Sequence, residues 1–85
     1  MKTYYATQGT CSREIELEMQ DDVILGVRFA GGCHGNLQGM ASLVKGMHAA
    51  DVIARLNGIR CGYKSTSCPD QLCRAIEQAM AQTEQ

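Results

Sequence analysis

Five cysteines in 85 residues are the side chains of this chain with the most chemistry to offer. The segment Thr66-Ser67-Cys68-Pro69-Asp70 sets one of them at the mouth of a helix. Proline is favoured at the first helical position, and it pushes the residue before it out of the helical region. Cys68 is therefore expected to be the N-cap. There, unpaired backbone N–H groups and the positive end of the helix dipole would favour its thiolate, the form that binds metal or attacks. Cys61 lies upstream, with six intervening residues that include Gly62, enough chain to turn and bring both sulfurs to one point. Cys11 and Cys33 would complete a set of four, as a tetrahedral thiolate site with bonds of about 2.3 Å requires. Cys73, beside Leu72 and Ile76, falls on an apolar helical arc and reads as packing.

Other reactive side chains carry less. His34 follows Cys33 and imidazole is a competent ligand, but it reads as an exposed loop histidine. His48 has no ligand neighbour in sequence and reads as a surface residue. Glu14, Glu16 and Glu18 alternate strictly, which marks a solvated sheet face instead of paired acid–base carboxylates. Gly31, Gly32 and Gly35 precede a helix as a phosphate cradle would, yet they match no P-loop or dinucleotide fingerprint.

The elements that must position these groups follow from periodicity. Thr3 to Thr7, with Tyr4 and Tyr5, reads as an edge strand, and Gln8-Gly9-Thr10 as a turn. From Cys11 to Met19, the residues Cys11, Arg13, Ile15, Leu17 and Met19 share one face of a strand. After Gln20-Asp21-Asp22 the chain returns with Val23, Leu25, Val27 and Phe29 on one face, as an antiparallel partner would. Cys11 and Cys33 flank the open ends of that hairpin. Asn36 is a good N-cap for a helix with Leu37, Met40, Leu43, Val44 and Met47 on its stripe, ending near Gly46. A shorter helix spans 49–56 and stops at Asn57-Gly58. The last helix spans 69–82 and buries Leu72, Cys73, Ile76 and Met80.

These elements predict one α+β domain over residues 1–85, an antiparallel sheet of hairpin plus edge strand with about three helices on one face. The formal charge of −1, with both signs interspersed, gives no electrostatic footprint for nucleic acid or an anionic membrane. Neither partner is expected. With no apolar export signal or membrane-length run, and an odd number of cysteines, the expectation is a soluble cytoplasmic chain holding thiols or a metal.

With Gly31-Gly32-Cys33-His34-Gly35-Asn36-Leu37, Gly58-Ile59-Arg60-Cys61-Gly62 and Thr66-Ser67-Cys68-Pro69-Asp70-Gln71-Leu72, the chain resembles the TSCPD domain family over nearly its whole length. That family occurs as small stand-alone proteins and as the C-terminal domain of adenosylcobalamin-dependent ribonucleotide reductases. The resemblance implies a link to deoxynucleotide synthesis and a ribonucleotide reductase as partner. It does not make the chain a reductase, whose catalytic barrel is far larger.

The order of strand-start cysteine, hairpin, glycine-cysteine turn, helices and helix-capping cysteine also resembles the U-type iron–sulfur cluster scaffold. By order, the three cysteines of that family fall on Cys11, Cys33 and Cys68. Where the scaffold follows its first cysteine with glycine and aspartate, this chain has Ser12 and Arg13; where it precedes its last with histidine, this chain has Ser67. Cys61 is an added thiol. The exchange points toward a closed site of Cys11, Cys33, Cys61 and Cys68, with zinc as first choice and an iron–sulfur cluster as alternative. The expected function is a metal-binding accessory module. Besides an iron–sulfur carrier, a further alternative is a thiol redox shuttle cycling Cys61 and Cys68.

Overall fold

The computed structural model describes residues 2–7, 9, 12–31 and 34–83. Three strands, β1 (Lys2–Ala6), β2 (Ser12–Gln20) and β3 (Val23–Gly31), precede three helices, α1 (His34–Val44), α2 (Ala49–Leu56) and α3 (Cys68–Thr83). The strands form one antiparallel sheet in the order β1-β2-β3. Asp21 turns the hairpin with φ of 55°, a left-handed conformation that aspartate tolerates better than most side chains. The domain is α+β, with the helices packed against an antiparallel sheet. Helix α3 crosses β1 and β2 and meets α2, while α1 lies against β3.

Alternation along β2 puts Ile15, Leu17 and Met19 into the core. Strand β3 departs from the simple alternation expected of it. Glu18 pairs with Gly26 but Met19 pairs with Ile24, so Leu25 is the extra residue of a β-bulge. The bulge flips the strand's start, so that Ile24 is buried while Leu25 is exposed. Beyond it, Val27 is buried and Phe29 packs on the core as expected.

The sheet contributes Ile15, Leu17, Met19, Ile24 and Val27 to a core closed by Val44, Val52, Leu72 and Ile76 from the helices. Helix α1 begins at His34, not after an Asn36 cap, and Gly31, the last residue of β3, has φ of 81°. Past α1, Gly46 adopts φ of 88° and reverses the chain. Its N–H then donates to the Ile24 carbonyl at 2.7 Å, and the Ile24 N–H donates to Met47 at 2.9 Å. Residues 46–48 thus cover the outer edge of β3 at its start, where unpaired backbone groups would otherwise invite another strand.

The acidic strip on the other sheet face is not left to solvent alone. In register, Glu16 stands between Tyr4 and Arg28, and Lys2 Nζ approaches its carboxylate to 3.3 Å. Arg28 lies 3.8 Å from the other oxygen. Such exposed pairs are each worth about 0–1 kcal/mol, so this face is charge-balanced without being a stability determinant. Among the described residues, no helix is long and apolar enough to cross a membrane.

Candidate functional site

The residues around Cys68 form a buried polar clasp. Ser67, not Cys68, is the N-cap of α3: its Oγ accepts the Asp70 N–H at 3.2 Å and donates to the Ile59 carbonyl at 2.6 Å. Cys68 is the first helical residue and Pro69 the second. Proline disfavours helical geometry in the residue before it without forbidding it. The competing signal was Ser67-x-x-Asp70, a serine followed three residues later by an acid, which is the spacing of a capping box.

Asp70 ties the helix start to the loop before it. Its Oδ2 accepts the Thr66 hydroxyl at 2.5 Å, and its Oδ1 accepts the Gly58 N–H at 2.8 Å. These two hydrogen bonds, the Thr66 bond foremost, hold the carboxyl below its ordinary range against the opposing effect of burial, with Arg74 assisting. The Thr66 hydroxyl in turn accepts Gln71 Nε2 at 3.0 Å. Thr66, Ser67, Asp70 and Gln71 are all buried, and each finds partners, as buried polar groups must. Gly9, at φ of 72°, backs onto this cluster so closely that a Cβ there would meet Thr66 Cγ2 at 3.0 Å.

The clasp closes a loop. Asn57 ends α2, with its N–H on the Ile53 carbonyl and its side chain accepting Arg74 Nη2. From there Gly58, Ile59 and Cys61 are each held by the α3 entrance, Cys61 through its N–H to the Thr66 carbonyl at 3.2 Å. Closing ten residues costs about 2 kcal/mol of chain entropy on the logarithmic scaling, which three such bonds at roughly 1 kcal/mol each can offset. Gly62 at φ of 60° forms the tip, where the Lys64 N–H donates to the Cys61 carbonyl at 3.0 Å. Arg60, Cys61, Tyr63 and Lys64 face solvent, and the Tyr63 side chain is fully exposed.

Of the four cysteines that the sequence suggested as ligands, the described residues include Cys61 and Cys68. Among the described residues no group of three or more His, Cys, Asp or Glu side chains is placed to hold a metal. This corrects the zinc-binding module and the iron–sulfur alternative. Cys61 is exposed on the loop and Cys68, 8 % exposed, is buried beneath it, while Cys11 and Cys33 lie outside the described residues. The acid nearest in sequence, Asp70, has both oxygens engaged by Thr66 and Gly58 and is no ligand. Backbone and side-chain hydrogen bonds close the Cys61–Cys68 segment, the task assigned to a metal. The thiol shuttle fares no better: Cys61 is exposed, but burial shields Cys68 from exchange. Cys73 is fully buried on α3, and burial pushes its thiol up to about 11, so it packs as a small hydrophobe.

His34 opens α1. His48 is exposed, as expected, with Nδ1 3.0 Å from Asp22 Oδ2, where it links the α1–α2 turn to the hairpin. What the sequence reading missed is the set Thr66, Asp70, Gln71 and Gly58; the capping-box spacing could have found Asp70, whereas Gly58 is brought in only by the fold.

The model of the TSCPD domain family matches residues 1–80. No curated protein and no solved structure matches the chain.

Proposed function

The chain belongs to the TSCPD domain family, and from that membership and the clasp we propose that it is a non-catalytic docking module that presents the loop 58–65 to a partner protein. One observation carries the reading. A fully exposed tyrosine, flanked by the exposed Arg60 and Lys64, stands on a loop whose two ends are pinned to each other by part-buried hydrogen bonds. Tyrosine and arginine dominate binding hot spots, and a loop ordered in advance loses less entropy on association.

The partner is proposed from the family resemblance: an adenosylcobalamin-dependent ribonucleotide reductase, whose C-terminal domain this chain resembles, met in the cytoplasm. The likeness to the U-type iron–sulfur scaffold is proposed as architecture alone, resting on the order of hairpin and helices. Titration calorimetry of this chain against the catalytic chain of such a reductase from the same organism tests the reading. Tyr63→Ala should weaken binding at least about tenfold, a hot-spot loss of roughly 1.4 kcal/mol or more, with unchanged melting. Absence of binding, or binding indifferent to Tyr63→Ala and to Arg60→Glu with Lys64→Glu, would refute it.

A further inference from the structure

Helices α1 and α2 leave an apolar groove between them, with a volume of about 360 Å³. Met40, Leu43 and Val44 line it from α1, Val52, Arg55 and Leu56 from α2, and Met47 closes it from the turn. On each helix these positions follow the i, i+3, i+4 spacing that makes a ridge. A trough between two ridges is the surface into which the ridge of a third helix packs. Leu43 is 79 % exposed, although it stands on the apolar stripe of α1 and its neighbour Val44 is buried. Two methionines give the walls a flexible, polarizable lining that adapts to an incoming side chain.

Charge selects the occupant. The formally charged side chains of α1, the turn and α2 are Lys45, Asp51 and Arg55. Of these, Arg55 lines the groove, and it forms no ion pair among the described residues, Asp51 one turn before it included. A second copy of this chain laid on the groove would set a second Arg55 against the first, like charge against like. An acidic guest would not. We infer that this groove receives an amphipathic helix of a partner protein, with apolar anchors at i, i+4 and i+7 and a carboxylate that reaches Arg55. Helices read in this way are held by their anchors and oriented by the charge.

The test uses the intact chain and a displayed library of 15-residue helical peptides, with leucine fixed at three positions spaced i, i+4 and i+7 and the others randomised. Recovered peptides should share Asp or Glu at one fixed spacing from the leucines, and one of them, labelled with fluorescein, should bind in an anisotropy titration. Arg55→Glu should weaken that peptide at least tenfold and shift a fresh selection to Lys or Arg at the same position. Leu43→Lys should abolish binding while leaving melting unchanged, since Leu43 is already in solvent. Three results would overturn the inference: no peptide recovered, an acid preference that survives Arg55→Glu, or sedimentation showing a dimer that Leu43→Lys dissociates.

Discussion

Asp70→Asn is the change that most directly probes the clasp, because it keeps the shape of the side chain and removes only its charge. The amide oxygen can still accept the Gly58 N–H, now 2.8 Å from a carboxylate oxygen. The other side fails. Its NH₂ would face a Thr66 hydroxyl that already accepts Gln71 Nε2, so the hydroxyl proton loses its acceptor in a buried site. Losing a charge-assisted bond there costs about 1.5–3 kcal/mol, against a total stability of about 4–13 kcal/mol for a domain of this length. Melting should fall by roughly 6–24 °C at pH 7. The pH dependence supplies a second readout. Asp70 is held below its ordinary value in the folded chain, so its contribution is fully present above the unfolded value near 3.9 and is lost as pH falls through the lower folded value. Calorimetric melts from pH 7 down to pH 2 should show wild type losing stability below about pH 4, and Asp70→Asn losing less over that window. A variant within about 0.5 kcal/mol of wild type at pH 7, or with the same acid slope, would show that the clasp does not hold the fold.

Ser67→Ala removes the α3 cap and leaves the Ile59 carbonyl without its donor; a loss of about 1–2 kcal/mol in urea unfolding is expected. Gly9→Ala combines a φ of 72° with a 3.0 Å approach to Thr66, and should cost about 1–3 kcal/mol by the same assay, with no loss refuting the close contact. In thiol titration with an aromatic disulfide reagent, Cys61 should react at once and Cys73 only on unfolding, since one is exposed and the other is buried with its thiol pushed up to about 11. Ile76→Ala, at the centre of the core, should cost about 2–5 kcal/mol in urea unfolding.

Periodicity carried the elements that face one way throughout. The β2 alternation from Ile15 to Met19 and the helix Ala49–Leu56 stand where the pattern put them, whereas Arg13, expected on the face of Ile15, is exposed where the register shifts between Ser12 and Glu14; α3 differs from its expected bounds by one residue at each end. The bulge at Leu25 was not legible, because it depends on how Met19 and Ile24 register across the hairpin and not on β3 alone. Asn36 is a good cap by type, yet α1 begins two residues before it, at His34. Cysteine was the least decisive letter. It is both a ligand and one of the most buried residue types, so Cys68 beside Pro69 fitted the mouth of a helix equally well as a sulfur donor or as a packed first-turn side chain. Burial favours the second: Cys68 is 8 % exposed, and among the described residues no group of three His, Cys, Asp or Glu side chains is placed to hold a metal.

Of the five letters in Thr66-Ser67-Cys68-Pro69-Asp70, the three polar ones do the joining. Thr66, just before the cap, bonds Asp70 in the first turn of α3, and Asp70 and Ser67 each reach one residue of the chain leaving α2. Cys68 and Pro69 fill the first turn between them. The side chains that close the loop are buried and those it displays are not, so the proposed docking surface is separate from the groups that hold the fold. Changes at Ser67 or Asp70 should therefore lower stability and any loop-mediated binding together, whereas changes at Tyr63, Arg60 or Lys64 should touch binding alone. Were Tyr63→Ala to destabilise the chain as much as Ser67→Ala, the loop would be part of the fold's own packing and the docking reading would lose its physical basis.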